Sequence, residues 1–145
     1  MNRLSIVLVL LVLAALTGCG GNSATGPSAT TGSSTTRASS HNAGADCLSC
    51  HSFSVAGTAY RSDGVTPYAG AVVRLTSASA GGGTVLATLT ADGSGNFYSS
   101  ATVNFGTGVY TTATSTDGTV STMNAAITSG SCNRCHTSGK RIAVN

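Results

Sequence analysis

Tryptophan is absent from this chain, and phenylalanine and tyrosine together make up only 5% of it. That scarcity excludes a large aromatic core, so a bound apolar group would supply packing that the side chains do not. Charge is scarce too: 8% of the residues are Asp, Glu, Lys or Arg, with a net charge of +3. The basic residues are Arg3, Arg37, Arg61, Arg74, Arg134, Lys140 and Arg141, scattered along the chain. Nucleic-acid binding requires a concentrated basic face, so no nucleic-acid partner is expected. Lys140-Arg141 is the one adjacent pair and reads as a solvated tail. The acidic residues are Asp46, Asp63, Asp92 and Asp117, and each of the last three precedes a glycine in a turn context. Neither paired carboxylates nor a Ser-His arrangement is present. General acid–base chemistry therefore has no evident carrier, and the expectation is that the protein is not an enzyme.

Long apolar runs are missing as well, apart from Leu4 to Leu16, 13 residues interrupted by Ser5. A membrane-spanning helix needs roughly 20 residues. Placed after Met1-Asn2-Arg3, the run suits the core of a signal peptide. It ends in Leu16-Thr17-Gly18-Cys19, which resembles the bacterial lipobox. The resemblance implies a signal peptide over residues 1–18, cleavage before Cys19, and lipidation of its thiol and new amino terminus. The protein would then be exported and held in the cell envelope by a lipid anchor, at the periplasmic face, the outer membrane or the cell surface. Gly20 follows the cysteine, and the lack of Asp there fits outer-membrane sorting. The alternative is an ordinary signal peptide with an incidental cysteine. Residues 19–40 are Ser-, Thr- and Gly-rich with too few apolar groups to fold, and read as a flexible linker with an r.m.s. reach of roughly 25 Å.

The other four cysteines form Cys47-Leu48-Ser49-Cys50-His51 and Cys132-Asn133-Arg134-Cys135-His136. Each is C-x-x-C-H, the haem c attachment pattern. Two thiols must reach two vinyl groups on one porphyrin edge and form thioethers, and two intervening residues on a helical turn set that reach. The histidine that follows offers its imidazole to the iron. Two haem c groups are therefore expected, on Cys47, Cys50, Cys132 and Cys135, with His51 and His136 as proximal ligands. The chain has three histidines, so composition alone would place two of them in these positions less than about once in a thousand sequences. A zinc site and two C-x-x-C disulfides are the competing readings. The pairs lie about 80 residues apart, far for a zinc site, and neither competitor accounts for the two histidines.

A second axial ligand would come from His41 or Met123. His41 lies six residues before Cys47, with Gly44 permitting a bend between them, and could serve either haem. Its alternative is an inconsequential loop histidine. Met123 lies nine residues before Cys132, and its alternative is a strand side chain. Ligation by Met123 would raise that haem's potential relative to a bis-histidine one.

Between the segments at 41–52 and 128–145, residues 53–127 alternate short β-prone runs with glycine-bearing turns, which predicts a mostly β sandwich or small barrel. The strands are expected at Ser54–Arg61, Ala71–Ser77, Thr84–Thr90, Asn96–Ala101, Gly108–Thr116 and Val120–Ile127. Val55 to Tyr60, Ala69 to Leu75, Thr90 to Phe97 and Gly108 to Thr111 together resemble the carboxypeptidase-regulatory-like, immunoglobulin-type β-sandwich. That resemblance implies a scaffold rather than an activity. With a C-x-x-C-H on either side, the whole is similar to small exported multihaem cytochromes, some of them from metal-respiring bacteria. It implies electron transfer with other redox proteins, multihaem cytochromes among them. The alternatives are a haem-based sensor or peroxidase-like protein with a vacant iron position, and a non-haem surface binding or structural module.

Overall fold

A computed structural model describes residues 29–31, 42 and 44–145. These residues form nine strands: β1 (Ala29–Thr31), β2 (Val55–Arg61), β3 (Val72–Thr76), β4 (Val85–Thr90), β5 (Asn96–Ser99), β6 (Tyr110–Thr114), β7 (Val120–Thr122), β8 (Gly130–Ser131) and β9 (Ile142–Val144). Helix among them is limited to 3-10 turns at Cys47–Ser49 and Ser79–Gly81 and the single α-turn α1 (Cys132–Cys135). One sheet has the order β1-β4-β3-β6-β7; the other has β5-β2-β8, with β9 also paired to β2. Val55, Ala59 and Phe97 from the second sheet meet Val73, Leu75, Ala87, Leu89 and Ala113 from the first in a shared core. The protein is thus mostly β and sandwich-like.

All six strands expected from alternation are present, with their ends trimmed. In β3, Val73 and Leu75 are buried while Arg74 is exposed, the period of two that a half-buried strand requires. The expected run to Ile127 is shorter, because β7 stops at Thr122 and Ile127 returns only as an isolated bridge to Val109. The Asp-Gly turns are held by their carboxylates. Asp63 Oδ1 accepts from the amides of Val65 and Thr66, and Asp92 Oδ1 from those of Ser94 and Asn96. Gly95, at φ +74°, sits where an added Cβ would strike the Ala59 carbonyl.

Three strands lie outside the expected set. Ala29–Thr31, within the linker region, pairs parallel with β4. β8 and β9, within the second C-x-x-C-H segment, both run parallel to β2, along Val55–Ala56 and Ala59–Arg61 respectively. Two- and three-residue strands are too short to display a period, so pairing alone reveals them.

β2 organises the molecule. Six consecutive residues, Val55 to Tyr60, are buried, so both of its faces are covered. Val55 and Ala59 point into the core. The opposite face carries Thr58, hydrogen-bonded to Asn133 inside the second Cys pair, and Tyr60, packed under Arg141. A face that would otherwise meet solvent is therefore occupied by the cysteine-bearing segments.

Candidate cofactor-attachment sites

The second motif interrupts an edge pairing. The chain follows β2 as β8, leaves it as α1, and returns as β9. The Ala59 amide donates to Gly95 O on the β5 side, so alternation turns the Thr58 amide the other way. There it donates 3.0 Å to Asn133 Oδ1, a side-chain replacement for the missing ladder bond. Asn133 Nδ2 donates to Thr58 Oγ1 at 3.1 Å and to Ala45 O at 3.0 Å, and the Thr58 hydroxyl donates on to Asn96 Oδ1. Asn133 is 2% exposed, and both of its amide protons and its amide oxygen are engaged in this junction.

Ala45 belongs to the approach to the first motif. Asp46 caps the Cys47–Ser49 turn by accepting from the Leu48 amide, and the same Oδ1 accepts from the Ser131 hydroxyl. Asn133 Nδ2 also lies 3.8 Å from Cys47 Sγ. The two cysteine-bearing segments, distant in the chain, are therefore joined side by side.

Cys132 packs against the core at Gly57, where an added Cβ would lie 2.8 Å from Cys132 Cβ and 2.5 Å from Phe97 Cζ. Burial, reinforced by the neighbouring Cys47, pushes the Cys132 thiol up to about 12. Burial likewise raises Cys47. Both are held as neutral thiols, whereas Cys50 and Cys135 are exposed; all four are free.

A cavity of about 630 Å³ opens between the β6–β7 edge of one sheet and α1 with β9 of the other. That volume falls in the range of roughly 300–1,000 Å³ typical of cofactor pockets. Cys132, Cys135, His136 and Met123 all line it, with Val73, Phe97 and Ile127 among its apolar walls. Met123 is half-buried, and its sulfur accepts from the Thr111 hydroxyl at 3.5 Å.

His136 is oriented by one contact: Nδ1 lies 2.7 Å from Lys140 O. A carbonyl oxygen only accepts, so Nδ1 carries a proton, and in the neutral imidazole the lone pair is on Nε2. This is the arrangement by which a ligating imidazole is fixed in tautomer and made more basic.

The first motif has a different setting. Cys47, Cys50 and His51 lie outside the cavity. His51 is exposed and stacks on Phe53 at 5.1 Å, which stacks on Tyr98 of β5 at 4.6 Å. His41 and Cys19 lie outside the described residues. Among the described residues no three His, Cys, Asp or Glu side chains converge on one ion position. A single zinc shared by both pairs would need such a donor set.

Sequence reasoning passed over four contributors. Asn133 and Thr58 carry no local signal. Lys140 acts through its backbone carbonyl, which no side chain advertises. Arg141, read as part of a solvated tail, is half-buried, with its guanidinium 4.5 Å above the Tyr60 ring and Nη1 donating to Gly64 O. That reading is corrected by β9, which draws Arg141 onto β2, whereas Lys140 stays exposed.

No protein-family model, curated protein or solved structure matches the chain.

Proposed function

We propose that the protein is an exported, lipid-anchored, two-haem c-type cytochrome that carries electrons in the cell envelope. The observation that carries this reading is the shared cavity. It gathers two thiols at C-x-x-C spacing, the following histidine with Nε2 left for a metal, and a methionine, Met123. Those residue types fit a tethered iron porphyrin: Cys132 and Cys135 as thioethers, His136 as proximal ligand, Met123 as the candidate sixth ligand.

When bound, each haem supplies a one-electron Fe(III)/Fe(II) couple. The chain's own residues do the rest. The thiols tether, His136 is aimed by Lys140 O, and the apolar walls around Val73 and Phe97 limit water at the site. At the other motif Cys47, Cys50 and His51 would hold the second group, on an exposed surface where a redox partner could approach. The Asn133–Ala45 and Ser131–Asp46 contacts keep the two motifs adjacent, which favours electron passage between them. Other redox proteins, multihaem cytochromes among them, are the proposed partners. Residues 1–18 would be removed and Cys19 would bear the lipid.

The test is a haem count by pyridine haemochrome and intact mass on purified mature protein. Two covalent haems are expected, falling to one when Cys132 and Cys135 are replaced by alanine. A colourless mature protein, or one whose mass shows no tetrapyrrole, ends the proposal.

A further inference from the structure

We propose that Phe53 is a positioning residue for His51: its ring, backed by Tyr98, sets the plane in which the first motif offers its imidazole to iron. This rests on the cofactor reading above and extends it to two residues outside both C-x-x-C-H motifs. The imidazole of His51 and the ring of Phe53 have centroids 5.1 Å apart and planes inclined by 16°. Phe53 in turn lies 4.6 Å from the Tyr98 ring, inclined by 25°. Three rings are thus piled in one column, from an exposed histidine down to β5 of the second sheet.

The column has a fixed foot. Tyr98 stands opposite Ala56 in the β2–β5 ladder, between the buried Phe97 and Ser99, so it faces away from the core. Phe53 is held beside it through the next residue: the Ser54 amide and hydroxyl both donate to Ser99 O, at 2.8 Å and 3.0 Å. Phe53 and Tyr98 are half-buried, whereas His51 is exposed. Left unrestrained, an exposed side chain samples several staggered rotamers. One stacked aromatic pair favours a single ring orientation by about two- to tenfold. Stacking covers a face of the imidazole, while a metal is bound at a ring nitrogen, in the ring plane, so the two contacts are compatible. The two motifs therefore use different devices. Lys140 O orients His136 through a ring nitrogen, and Phe53 orients His51 through its π face. Phe53 also keeps water from that face, and the apolar shell around a ligated metal tunes its potential.

The experiment uses mature full-length protein with both haems attached. Electron paramagnetic resonance gives the g values of each ferric haem, and redox titration gives the midpoint potentials. The signal missing from the Cys47→Ala, Cys50→Ala variant is that of the first motif. Phe53→Ala should shift the g values of that haem, because its imidazole plane is released, and lower its potential, because water reaches the ring. The haem at Cys132 and Cys135 should keep both values. Phe53→Tyr, which restores the ring, should return the wild-type g values. Tyr98→Leu, which removes only the foot of the column, should shift them in the same direction as Phe53→Ala but less. Unchanged g values in Phe53→Ala overturn the assignment and leave the two-haem reading intact. Equal shifts at both haems mean a general loss of packing and overturn it as well. Mature wild-type protein without covalent tetrapyrrole overturns the cofactor reading, and this one with it.

Discussion

Asn133 Nδ2 and the carbonyl oxygen of Ala45 lie 3.0 Å apart across 88 positions of sequence. This bond, made from between the two cysteines of the second pair to the residue two before Cys47, turns two separate C-x-x-C-H motifs into one neighbourhood. The same side chain also completes the edge of β2 at Thr58. Asn133 thereby serves stability and, together with the Ser131–Asp46 bond, the spacing of the motifs.

Asn133→Ala should lower the unfolding free energy by about 2–3 kcal/mol, because the buried Thr58 amide loses its acceptor. Denaturant unfolding read by circular dichroism measures it. A change under about 0.5 kcal/mol, the range of ordinary surface substitutions, would mean that water takes over the junction.

Gly57→Ala should cost about 1–3 kcal/mol by overpacking, since the new methyl meets Phe97 and Cys132. Because Cys132 is displaced, the yield of covalent haem at the second motif should fall more than at the first. Peptide mass mapping of the two motifs gives the ratio, and an equal yield at both contradicts the packing argument.

Met123→Leu conserves volume and removes the thioether, so the stability change should stay below about 1.5 kcal/mol. The ferric haem at Cys132 and Cys135 should turn high-spin while the other keeps its spin state. Electron paramagnetic resonance reads both, and an unchanged spectrum makes Met123 a wall residue only.

Hydrogen bonds hold the Asp63 and Asp117 carboxyls below their ordinary range. Those from the Thr66 hydroxyl to Asp63 and from the Ser115 hydroxyl to Asp117 contribute most. A native value below the unfolded one, about 3.9, stabilises the fold above that pH. The contribution disappears as pH falls through the lower native value. Thermal midpoints should therefore drop below about pH 4. Asp63→Asn should narrow the gap between midpoints measured on either side of that window, and an unchanged gap would remove Asp63 from the account.

Removing the first haem through Cys47→Ala with Cys50→Ala should shift the midpoint potential of the remaining one, because adjacent charges in a partly buried site interact. Identical potentials in redox titration would indicate that the two groups project away from each other.

The local backbone geometry was legible without coordinates. C-x-x-C-H needs one helical turn and its next residue, and both motifs form such turns. Val73 and Leu75, and likewise Ala87 and Leu89, are buried at alternate positions of their runs, since a pleated strand repeats every two residues. Asp63, Asp92 and Asp117 announced turns because a short carboxylate bonds amides two to four positions onward. All of this is encoded within a few neighbouring residues. The meeting of the motifs, the shared cavity of His136 and Met123, and the opposite fates of Lys140 and Arg141 are not. They follow from β8 and β9 finding β2, and short parallel pairings between remote segments leave no periodic trace in the chain. Only the folded register could choose them, since each hydrogen bond involved joins residues whose separation in sequence has no bearing on their affinity.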